Sequence, residues 1–194
     1  MPTVARHQQR PRGRVSLAVA RFASLTFSGV FAGFLITVLV LELSMRTLGG
    51  SVYIEVRHVE LIGMDVLASV MLVPAAAATA VVVAGRFRAG GAARWLPTIA
   101  LLLMVSVVVL TVAVNLPINA DQHSWVATTP PPDWASVRDR WQLAHAVRTV
   151  AAVLAFGCLS VGEIRRPMPR PDTADPATAP AASGRPGREG SYDR

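Results

Sequence analysis

The sequence at Trp95–Ala120 reads WLPTIALLLMVSVVVLTVAVNLPINA, 26 residues without a charge. A hydrocarbon core about 30 Å thick takes about 20 helical residues to cross. A helix also satisfies its own backbone hydrogen bonds where no water is present. The stretch is therefore predicted to span a membrane. Phe22–Leu41 and Val66–Gly85 repeat the signal, each 20 residues long and uncharged. At 52% apolar and 16% charged residues, the chain is too apolar for a soluble domain of 194 residues.

The fourth span is shorter in pure composition. Thr149–Gly162 supplies only 14 uncharged residues before Glu163. Extending it back to Leu143 gives a full crossing only by including His145 and Arg148. Ionisable groups inside a span are costly and face a bundle interior or a polar cavity. Snorkelling of Arg148 to the interface is the other reading. The predicted fold is all-α, a four-helix transmembrane bundle with spans at about 22–42, 64–85, 95–118 and 143–163. The transmembrane domain runs over 21–164. A basic arm, 1–20, and a Pro/Ala/Gly/Arg-rich tail, 165–194, flank it and are expected to be disordered.

All 19 basic residues are arginine, giving a net charge of +7. Fourteen lie in the N-terminal arm together with Arg21, the 86–94 turn and the tail, against Arg46, Arg57, Arg138, Arg140 and Arg148 on the other side. The positive-inside rule then predicts that both termini are cytoplasmic. Basicity shared among membrane flanks argues against nucleic acid as a partner and for membrane lipid. Cys158 is the single cysteine, so no disulfide framework or CxxC redox pair is available.

Polar residues gather at the mouths of the third and fourth spans. Asn115 and Asn119 lie one turn apart around Pro117, whose missing N–H leaves the Ala113 carbonyl without its helical partner. Helix capping explains the two asparagines, and so does donation to a ligand. Trp141, His145 and Arg148 recur at i, i+4 and i+7 and share one helix face. In the loop at 49–65, Tyr53, Arg57, Glu60 and Met64 fall at helical spacing, as do Ile54, His58, Leu61 and Asp65. The loop is read as an amphipathic extension of the second helix, with Tyr53, His58 or Glu60 lining the mouth. Glu42, at the end of the first span, either sits at the interface or faces that mouth. Ser28/Gly29 with Gly33 has the spacing of a close helix contact, within the bundle or in a homo-oligomer.

The Asn-x-Pro-x-Asn element, followed by Trp134, Arg140-Trp141, His145 and Val147-Arg148, resembles the anthrone oxygenase-like family of small bacterial and fungal four-helix membrane proteins. Gly29-Val-Phe-Ala-Gly33 and the spacing of the spans extend the resemblance over roughly residues 22–163. The resemblance implies oxidation of a lipophilic polycyclic phenol by molecular oxygen, with no cofactor and no metal, in a bacterial plasma membrane. Under it His145 is the expected base and Arg148 the stabiliser of anionic oxygen. Asn115 and Asn119 would orient substrate oxygens and Trp141 would stack on its ring, with Tyr53 and His58 as further contacts. The alternative is a non-enzymatic membrane scaffold, in which Asn115 and Asn119 bond Arg148 and His145 to lock the third helix to the fourth. A haem held by His58 and His145 is a weaker third reading, because each histidine is solitary.

Overall fold

The computed structural model describes residues 10–89 and 94–165. Four long helices are apolar enough to cross a membrane. They are α1 (Arg10–Ser44), α3 (Met64–Ala89), α4 (Trp95–Leu110) prolonged into α5 (Leu116–Gln122), and α6 (Trp134–Ile164). A 3-10 turn, Met45–Thr47, and the short helix α2 (Gly50–Leu61) connect the first two. Among the described residues there is no named strand, only an isolated bridge between Val126 and Thr129. The first helix starts at Arg10, so part of the stretch expected as a disordered arm is helical. Pro11 is tolerated in a first helical turn, and arginine is a good helix former. The expectations for 1–9 and 166–194 lie outside the described residues.

α1 packs on α3 and α6, and α4 packs on α6 and α3, closing a ring of four. The contacts are small and tight. Ala75, Ala100 and Ala155 are completely buried beside Met104 and Leu159. A second cluster joins Phe31, Ala32 and Leu35 to Val107, Ala151 and Ala152. A side chain at Gly29 would meet the Phe156 ring at 3.1 Å, so that glycine serves the α1–α6 crossing, while a side chain at Gly33 would meet nothing. Leu102, Val150 and Val70 turn outward and are more than half exposed. Such an apolar exterior suits lipid rather than water.

Two breaks shape the end of the bundle that carries α2 and α5. The periodicity of 53–65 suggests one continuous helix into the second span, but Ile62-Gly63 interrupts it. Gly63 adopts φ 110°, which a side chain would strain, and α2 folds over the bundle end. The second break is a π turn over Thr111–Asn115, in which the Leu116 N–H donates to the Thr111 carbonyl five residues back. It sits directly before Pro117, which has no N–H to give to Ala113. Over this end lies a cap of Met45, Tyr53, Ile54, Trp125 and Val137. At the opposite end Glu163 pairs with Arg21 at 3.5 Å and Arg86 at 3.6 Å, tying three helices together.

Candidate functional site

α2 buries one helical face, made of Tyr53, Ile54, Arg57, Glu60 and Leu61. Arg57 is 3% exposed, and every guanidinium nitrogen is engaged. Nε donates to Gln122 Oε1 at 2.8 Å. Nη1 donates to Glu42 Oε1 at 3.1 Å and Glu60 Oε2 at 2.8 Å, and Nη2 to Asn119 Oδ1 at 2.7 Å. The guanidinium lies 4.0 Å from the centroid of the Trp141 ring. Gln142 Nε2 holds Glu42 from the far side, at 3.0 Å from Oε2 and 2.9 Å from its carbonyl. This cluster joins α1, α2, α5 and α6. Buried charges are tolerated only with partners of this kind.

Next to it lies a cavity of about 140 Å³, room for a ligand rather than for one or two waters. Phe31, Phe34, Leu35, Val38 and Leu72 give it apolar walls. Arg57, Glu60, Asp65, Asn119, Trp141, His145, Arg148 and Thr111 add polar groups. Leu41, Met64 and Leu116 line it and are also exposed, so the cavity communicates with the outer surface of the bundle.

Trp141, His145 and Arg148 do meet on one face of α6. The indole and imidazole stack with centroids 4.9 Å apart and planes 6° apart. Arg148 Nη2 is 2.7 Å from His145 Nδ1, and Arg148 Nη1 donates to Thr111 Oγ1 at 2.8 Å. His145 Nε2 lies 3.0 Å from the Leu35 carbonyl. A carbonyl only accepts and a guanidinium only donates, so Nε2 carries the proton and the Nδ1 lone pair receives Arg148. Both ring nitrogens are thus hydrogen-bonded within the protein in this arrangement. Arg148 faces the cavity instead of snorkelling. Among the described residues no carboxylate lies within ion-pair distance of it, and its buried Nε has no hydrogen-bond partner.

The asparagines do not bond Arg148 or His145, as the scaffold reading expected. Asn115 Nδ2 reaches the Trp141 carbonyl at 3.4 Å, and Asn115 does not line the cavity. Asn119 does line it. Its Oδ1 accepts from Arg57 Nη2 and from Trp141 Nε1, both at 2.7 Å, which turns its Nδ2 toward Asp65, 3.3 Å from each carboxylate oxygen. Trp141 is already stacked, so it is a wall more than an open platform for a ring.

Tyr53 and His58 stand away from the cavity. Tyr53 is fully buried in the cap against Trp134, with Gln122 Nε2 3.5 Å from its hydroxyl. Burial pushes the Tyr53 phenol above its ordinary value, and the Glu42 charge adds to the rise. His58 Nε2 lies 3.1 Å from the Gln122 carbonyl, so the Nε2 of each histidine is engaged by a backbone carbonyl. Sequence reasoning left Arg57, Asp65, Thr111, Gln122 and Gln142 out of the site. Arg57 and Glu60 at i, i+3 on the apolar face of α2 were the available signal, together with a carboxylate at the end of the first span. Among the described residues no three His, Cys, Asp or Glu side chains converge to hold a metal ion.

The family description "anthrone oxygenase" matches residues 62–158, half of the chain. The chain belongs to the anthrone oxygenase family. The matched region contains the polar wall of the cavity from Asp65 through Thr111, Asn119 and Trp141 to His145 and Arg148. It excludes Glu42, Arg57 and Glu60. No curated protein and no solved structure matches the chain.

Proposed function

We propose that this protein oxidises a lipophilic polycyclic phenol of the anthrone type with molecular oxygen, and does so with its own side chains. In the overall reaction the activated CH₂ and O₂ become C=O and H₂O. Loss of a C–H proton leaves a carbanion delocalised onto the phenolic and carbonyl oxygens. Oxygen takes electrons from that carbon and bonds to it as a peroxide. Loss of the second C–H proton with O–O cleavage then gives the quinone carbonyl and water.

One observation carries the reading: Arg148, on the wall of a largely apolar cavity, has no carboxylate in ion-pair contact among the described residues, its electrostatic partner Asp65 standing apart on the same wall. A cation in such surroundings favours an anionic ligand, and low dielectric strengthens that attraction. A phenolate fits this need. His145 and Thr111 hold the guanidinium in place before the charge develops. The opening beside Leu41, Met64 and Leu116 suits entry of a flat apolar molecule from the bilayer. The arginine distribution supports cytoplasmic termini in a bacterial plasma membrane, with the cavity near the opposite face.

A structural role for the polar mouth accounts for Arg57, whose bonds are complete, but leaves unexplained why Arg148 and Asp65 line the cavity without an ion-pair contact. Oxygen uptake with an anthrone, measured on the purified protein in detergent, tests the proposal. Uptake well above that of detergent alone is expected. A rate equal to the detergent background would overturn it.

A further inference from the structure

We propose that Asp65 is the proton acceptor of this reaction, working across the cavity from Arg148. The assignment rests on the oxygenase reading above and names the group that reading requires.

The cavity wall contains four side chains with a lone pair suited to taking a proton from carbon: Glu60, Asp65, His145 and, through the adjoining cluster, Glu42. Three are occupied. His145 gives its Nε2 proton to Leu35 and receives Arg148 on Nδ1. Glu42 is completely buried between Arg57 and Gln142. Glu60 is bound to Arg57 through Oε2, and its Oε1 is shut away from the surface without a partner. Asp65 differs from all of them. It stands in the first turn of α3, exposed, and no arginine lies within ion-pair distance of it among the described residues. Among the described residues its carboxylate has one hydrogen-bond donor, the Asn119 amide, 3.3 Å from both oxygens. A carboxylate has about four acceptor sites, so lone pairs remain for a substrate.

The orientation is built rather than incidental. Arg57 and Trp141 both donate to Asn119 Oδ1, so the amide can present only its NH₂ to Asp65. A carboxylate on α3 and a guanidinium on α6 therefore line one cavity and attract each other without an ion-pair contact. A phenol bound between them gives its methylene proton to an Asp65 oxygen while the resulting negative charge moves onto the oxygen nearest Arg148. When O₂ has bonded to the carbon, the Asp65 carboxylic acid returns its proton to the peroxide oxygen. The regenerated carboxylate takes the second C–H proton as the O–O bond breaks. That proton leaves with the departing hydroxide as water, and Asp65 ends as it began. Its exposed position also lets it exchange protons with the aqueous boundary.

The test compares wild type with Asp65→Asn at neutral pH and at a pH high enough to ionise the free substrate. Removal of a general base is expected to lower kcat by about 100-fold or more at neutral pH. KM should stay within about threefold, since binding is not the function removed. At high pH the substrate arrives as the anion, and the deficit is expected to shrink below about tenfold. An unchanged neutral-pH rate would overturn the assignment while leaving the oxygenase reading intact. So would a deficit equally deep at both pH values, which indicates a positional role. Wild type no faster than detergent would overturn the oxygenase reading and this assignment with it. If the Asn variant does not fold, Asp65→Glu replaces it: retained turnover with an altered pH profile supports the base role, and an unaltered profile overturns it.

Discussion

Arg57 and Arg148 lie at the same end of one bundle and touch the same stacked Trp141–His145 pair, yet their surroundings are opposite. Arg57 is saturated: two carboxylates, two amide oxygens and an aromatic ring take up its charge and its donors. Arg148 is held by two neutral groups, a hydroxyl and an imidazole, and its nearest charge of opposite sign, Asp65, stands apart on the cavity wall with no ion-pair contact. Saturation buries a cation for stability or for positioning. Incompleteness at a cavity leaves an interaction for something that arrives later. Two residues of one chemical type thus have separate tasks, set by what the neighbouring helices offer them.

The comparison is most exposed to replacement of Arg57. Arg57→Met strands Glu42 and Glu60 without their shared cation, and breaking a buried pair from one side costs about 3–5 kcal/mol. Unfolding by SDS titration in mixed micelles should show that loss; a change below about 1 kcal/mol would mean the cluster is not what holds the cap. Arg148→Gln should do the converse. Losing one preorganised group that stabilises developing negative charge slows turnover by about 10²–10³-fold. Stability in the same micelles should stay within about 1 kcal/mol. If the Arg148 variant unfolds as readily as the Arg57 variant, the distinction between the two arginines collapses.

Smaller effects sharpen the picture of the cap. Gly63→Ala places a side chain at φ 110°, a strain of about 1–3 kcal/mol, and should loosen α2 from the mouth. Amide hydrogen exchange over Gly50–Leu61 would report it, and unchanged protection would refute the hinge role of that turn. Tyr53 adds a pH dependence. Its folded-state value is raised by burial, so the folded chain keeps a proton that the unfolded chain gives up near the ordinary phenol value of 10.0. Stability is then intact below that value and falls as pH rises above it. Near-ultraviolet absorbance should show at least one of the two tyrosines resisting ionisation until the protein unfolds. The smallest effect belongs to the exposed Arg46–Asp139 pair, where Arg46→Ala should cost under about 1 kcal/mol by the same micelle titration.

The bundle was legible because each span announces itself by length without charge, and even the fourth yielded once His145 and Arg148 were allowed inside. The i, i+4, i+7 face of Trp141, His145 and Arg148 was legible for the same geometric reason. What periodicity could not convey was the break at Gly63, since the 53–65 pattern continues through it without a change of phase. Nor could it show that Asn119 turns toward Arg57 and Asp65 and not toward Arg148, because that choice depends on three helices meeting. Hydrogen-bond valence was equally invisible. His145 looked like a base in sequence, and only the positions of the Leu35 carbonyl and the Arg148 guanidinium reveal that both nitrogens are taken.

The π turn at Thr111–Asn115 has an angular consequence. An α-helix rotates by about 100° per residue, so one extra residue in a turn re-indexes every side chain that follows it. Lipid-facing positions below the turn are set by the rotation of α4, while Asn119 and Gln122 above it answer to Arg57. The insertion acts as a phase shifter between a greasy shaft and a polar head. Holding the same residues in a regular α turn would leave the shaft in register with its neighbours while swinging both amides by about 100° away from Arg57.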